Sequence, residues 1–116
     1  HAMHGRVAKA LEALLATETR PGVERLTQLA HHWYVAARPD RAFRSAVVAA
    51  EAAEASSAFA GSAALWERAL TLIDGDVGGV IELPRGLDHA AILIRLTLLT
   101  AFAIPAKSTS RLTVRD

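Results

Sequence analysis

From Pro39 onward the chain places alanine at Ala42, Ala46, Ala49, Ala50 and Ala53, so a helix formed there presents an almost smooth inner face. Such a face lets a neighbouring backbone come close, because alanine adds little bulk and loses no side-chain entropy on packing. Phe43 and Val47 are its larger knobs. Alanine supplies roughly a fifth of the chain, against about a twelfth in ordinary proteins. That balance points to closely packed helices.

The rest of the sequence supplies the neighbours. Residues 5–17 carry Val7, Leu11, Leu14 and Leu15 at helical spacing, and the pattern ends at "TETRPG". Pro21 suits the first position of a second helix, where its missing N–H would be unpaired anyway. Leu26, Leu29, Ala30, Trp33 and Ala37 share one face of that helix, which must end by Arg38 because the residue before Pro39 is pushed out of the helical region. The third helix opens at Pro39, with Asp40 in the first turn where the helix dipole favours a carboxylate. Ser56 and Ser57 read as a break and N-cap, with a continuous helix through them as the alternative. A fourth helix runs to about Ile73, with Phe59, Ala63, Trp66, Leu70 and Ile73 on one stripe.

"DGDVGGVIELPRG", Asp74 to Gly86, is the one long connection, and Val80 to Leu83 is too short to weigh as a strand. A fifth helix reaches Ala103 and is stopped by Pro105, after which no pattern persists. The expected fold is all-α, with about five helices in one domain over residues 4–104 and a tail over 105–116. The opening "HAM", residues 1–3, reads as a cloning scar.

Several function classes are disfavoured. A net charge of +1 gives no broad attractive field for nucleic acid or anionic lipid, and the thirteen basic residues, eleven of them Arg, are scattered. Cysteine is absent, which excludes disulfides, thiolate nucleophiles and Cys-based zinc sites and is compatible with a cytoplasmic location. The start lacks a basic region followed by an apolar run, as a secretory signal would have. The longest apolar stretch, Ala90 to Ile104, is interrupted by Arg95 and falls short of a bilayer span. Direct nucleic-acid binding and membrane insertion are therefore not expected.

No catalytic, cofactor or metal site is expected either. His31 and His32 are adjacent, so on a helix they point about a hundred degrees apart, whereas helical metal ligands sit three or four apart. His4 and His89 belong to other helices and would join them only by tertiary accident. One of the pair is expected to pack beside Trp33 and cap a polar contact, the other to face solvent. "DGDVGG" lacks the later oxygen ligands and glutamate of a calcium loop, and its glycines lack the lysine of a phosphate loop. Glu51, Glu54 and Glu67 read as a solvated face with arginines nearby, and Ser56, Ser57 and Ser62 have no nucleophile-elbow context. Trp33, Phe43, Phe59 and Trp66 fall on inward stripes, as knobs that interlock helical hairpins.

Two pieces resemble each other. "PDRAFRSAVVAA" carries Ala42, Ala46 and Ala49, and "AGSAALWERAL" carries Ser62, Trp66 and Ala69 at the same offsets. This pattern resembles the second helix of a tetratricopeptide repeat, although the two pieces lie about twenty residues apart instead of thirty-four. The longer order from "LAHHW" at Leu29 to "WERALTLID" at Asp74 resembles the helical region that follows the ATPase module in large ATP-binding LuxR-type (MalT-like) transcriptional regulators. "HGRVAKALEALL" is similar to the helix that opens that region and "GLDHAAILIRL" to a later one, so the resemblance spans roughly residues 4 to 100. It departs at "AARPD", which replaces a glycine-containing turn and leaves Ala37 to close the helix under some strain. It departs again beyond Ile104, where the next repeat's pattern is lost, as in a fragment or a natural truncation.

The resemblance implies irregular TPR-like hairpins forming a piece of solenoid. It also implies a non-catalytic sensor or scaffold role, binding an inducer, a partner protein or other domains of a parent regulator. A solenoid piece exposes an apolar end, so a homodimer burying the fifth helix is expected. The rival expectation, from a different class, is a small-molecule-binding bundle with an internal cavity. Trp33, Tyr34, Phe59 and Trp66 are the candidate ligand or partner contacts in either case.

Overall fold

The computed structural model describes residues 2–101, and these form an all-α domain. Its elements are α1 (Ala2–Leu15), α2 (Val23–Val35), α3 (Pro39–Ala55), α4 (Phe59–Asp74) and α5, described over residues 89–101. No strand occurs among the described residues. The part of the fifth helix expected beyond residue 101, and the tail, lie outside them. α1 begins inside the segment read as a scar, at Ala2.

α3 is the centre of the packing, set between α2 and α4. Its alanines at 42, 46, 49 and 50 are completely buried and Ala53 nearly so, together with Phe43. Close approach is visible where Ser62 of α4, itself fully buried, donates its hydroxyl to the Ala50 carbonyl at 2.8 Å. A larger residue at either place would separate the two backbones. Trp33, Trp66 and Ile92 complete the largest fully buried side chains.

The helix ends differ from expectation in two places, each for a local reason. α2 starts at Val23, with extended Gly22 as its N-cap, so Pro21 stands outside the helix instead of opening it. Ser56 and Ser57 do break the chain, but they close α3 and do not cap α4, whose N-cap is Ala58 without a side-chain bond. At both breaks the chain turns through a left-handed residue: Ala37 at φ 59° and Ser57 at φ 61°. The N–H groups of Ala37 and Arg38 reach the carbonyls of Tyr34 and Trp33, and those of Ser57 and Ala58 reach Glu54 and Ala53. This is the Schellman arrangement, normally built on glycine because a Cβ is crowded in that conformation.

The strain expected at Ala37 is therefore present. Ala37→Gly should raise stability by about 0.5–1 kcal/mol, the relief of left-handed strain less the extra freedom glycine gains when unfolded. A thermal melt that moves down instead of up would contradict this.

The long connection is more organised than its glycines suggest. The Asp76 carboxylate accepts the N–H groups of Val80 and Ile81 at 2.9 and 2.8 Å, and Ile81 turns into the core. Asp88 then caps α5 by accepting the Ala91 N–H at 2.9 Å.

Candidate functional site

The four aromatic residues singled out from the sequence divide into two kinds. Trp33 and Trp66 are fully buried, whereas Tyr34 is 45% and Phe59 36% exposed. Phe59 is thus a knob at the rim of the helix stack and not an inward one.

Each tryptophan is gripped the same way. The Trp33 indole N–H points to Glu12 of α1 at 3.3 Å, and Arg41 of α3 lies over its ring at 5.0 Å while meeting Glu12 at 3.4 Å. The Trp66 indole N–H points to Glu54 of α3 at 3.4 Å, and Arg95 of α5 lies over its ring at 5.1 Å while meeting Glu54 at 3.5 Å. So a tryptophan on the second helix of a hairpin binds a glutamate on the first, and an arginine from the next hairpin covers both. Two consecutive hairpins, α1–α2 and α3–α4, carry this clamp. Their tryptophans are 33 residues apart.

The clamps define two rows. α1, α3 and α5 are joined by Glu12–Arg41 and by Arg95 with Glu51 and Glu54. α2 and α4 are joined by Arg68, whose guanidinium stacks 4.7 Å over the Tyr34 ring. Of the glutamates read as solvated surface, Glu51 and Glu54 are half-committed to these contacts through Arg95, while Glu67 stays exposed. The clamps had one signal in the sequence, a tryptophan at matched places in consecutive hairpins, each with an acid on the helix before it.

α5 leaves a stripe open. Ile92 and Leu99 are buried, but Leu93, Ile94 and Leu98, within about a turn and a half of one another on the other side, are 47%, 61% and 56% exposed. The clefts lined by described residues are open to the surface. One of about 260 Å³ lies between α2 and α4 beside Arg68, and one of about 290 Å³ lies against Trp33 with Arg6, Lys9 and Arg38 around it. No described cleft joins two of the four aromatic residues.

The histidines hold a correction. His4 does reach the pair: its Nδ1 lies 3.0 Å from Nδ1 of His32, and its ring centroid is 5.3 Å from that of His32 and 6.4 Å from that of His31. The hairpin brings residues 28 apart into register, which spacing along the chain cannot reveal. His31 is exposed and set edge-on to its neighbours. Among the described residues no group of three or more His, Cys, Asp or Glu is arranged to hold a metal ion. His89 stands apart, 3.2 Å from the Asp74 carboxylate. Among the same residues no helix is long and apolar enough to cross a membrane.

No protein-family model, curated protein or solved structure matches the chain.

Proposed function

We propose that the chain is a non-catalytic helical scaffold that binds a partner protein or inducer, from the TPR-like region of a LuxR-type, ATP-dependent transcriptional regulator in the cytoplasm. The observation that carries this reading is the tryptophan clamp repeated in consecutive hairpins, 33 residues apart. A repeat of about that length, built from helix pairs that each bury one face on the next, is the habit of tetratricopeptide stacks. The partly exposed carboxylates of Glu12 and Glu54 support it too, since both serve the packing. The direct test is to read the gene around this segment. A P-loop ATPase module before it and a helix-turn-helix after it, in one frame, are expected; an open reading frame confined to this segment would refute the origin proposed.

The binding surface in this reading is the apolar stripe of α5, which in the isolated chain meets a second copy. Sedimentation velocity of the chain at rising concentration should show a dimer. Ile94→Glu should raise the dissociation constant by about tenfold or more, because a charge replaces apolar area removed from water. A monomer at every concentration, or a dimer indifferent to Ile94→Glu, would remove α5 as the surface.

A further inference from the structure

We propose that α1 is an acid-releasable cover on α2, latched at neutral pH by the His4–His32 contact and opened when this contact fills with protons. The inference is independent of the scaffold reading.

The latch follows from imidazole chemistry. Two Nδ1 atoms 3.0 Å apart can share one proton, with either ring donating and the other accepting through its lone pair. The contact survives one bound proton beyond neutrality, because the charged ring still finds a neutral acceptor. A second removes the acceptor and sets two N–H groups against each other. The His31 ring, 5.8 Å from that of His32 on the same helix, brings a third imidazole to the cluster and no carboxylate.

Among the described residues no carboxylate acts to offset that charge at His32. The groups facing His32 are His4 from α1 and His31 from its own helix, and the adjoining cleft is rimmed by Arg6 and Lys9 of α1 and Arg38 of the turn before α3. Glu12, the carboxylate of this interface, sits about two turns further along α1 and is held by Trp33 and Arg41. None of the described ion pairs involves His4, His31 or His32.

Partial burial first, then His4 and His31, hold the His32 imidazole below the ordinary histidine value. Above about pH 6.5 both folded and unfolded forms are neutral at this position, and its stabilising packing is intact. As the pH falls below that value the unfolded or released form takes up the proton first, so stability is lost progressively until the folded group itself titrates. The loss falls on α1, whose buried residues are only Ala8 and Leu15. An element anchored so lightly opens before the rest. Its opening uncovers Trp33.

Hydrogen exchange of the full chain at pH 7.5 and 5.0, with EDTA present and corrected for intrinsic rates, tests this. Protection of the α1 amides should fall about tenfold or more at the lower pH while α3 and α4 keep theirs. His4→Gln, at the lightly anchored end of α1, should abolish the α1-specific fall, and His32→Gln should do the same where it folds. Unchanged α1 protection, an equal loss across α1, α3 and α4, or an α1 loss that persists in His4→Gln would each overturn the proposal.

Discussion

Trp66→Ala is expected to be the most damaging single change in the chain, lowering stability by about 3–5 kcal/mol. A domain of this size holds about 5–15 kcal/mol in all, so the variant loses a large share of its stability. The reason is more than lost area. Trp66 is fully buried against α3, its N–H faces Glu54, and its ring carries Arg95 from α5. Removing the ring leaves a cavity, an acid without its donor, and an arginine without its platform, so α3, α4 and α5 loosen together. Trp66→Phe keeps most of the packing and loses the indole donor, and should cost far less. Trp33→Ala deletes the same type of clamp, but one of its three helices is the lightly anchored α1, and a smaller loss follows. Urea unfolding followed by circular dichroism would decide it. A Trp66→Ala midpoint close to the parent's would mean that the clamp decorates the stack and does not hold it.

The existence and order of the helices were legible because they rest on local rules. Apolar spacing marked the inward stripes of α2 and α3 and most of that of α4, but in α1 Val7 and Leu14 are exposed and Ala8 is buried instead. Pro39 forced both the end of α2 and the start of α3. The turns were less legible. Ser57 adopts left-handed geometry normally assigned to glycine, so its Schellman closure had no sequence marker and the serines read as a cap instead. The strained closure at Ala37 was expected only from the resemblance. Phe59 misled for a related reason: it is the first residue of α4, where the helix has not yet entered the stack.

The site was harder still. Glu12, Arg41, Glu54 and Arg95 look like ordinary surface charges one at a time. Only the two-row packing shows that each acid bridges its tryptophan to an arginine of the next hairpin. The His4–His32 contact needs the register of α1 on α2, which no spacing rule supplies. Tertiary pairing, and not composition, decides both.

The alanine face of α3 gives the second large effect, of opposite kind. Ala50→Leu is expected to cost about 1–3 kcal/mol by overpacking, although it adds apolar surface to a buried position. Ala50 has no exposure, and its carbonyl accepts the Ser62 hydroxyl, so the two backbones are already about as close as they can come. Three further carbons have nowhere to go, because α2 and α4 hold α3 from both sides. Retreat of α4 would stretch the Ser62 bond and move Trp66 off Glu54; retreat of α2 would do the same to Trp33 and Arg41. Ala55→Leu, on an exposed position at the end of the same helix, should stay within about 0.5 kcal/mol and serves as the control. Should Ala50→Leu prove neutral or stabilising in urea, α3 would have room around it. The smooth face would then reflect only the sequence's fondness for alanine and not a demand for close helix contact.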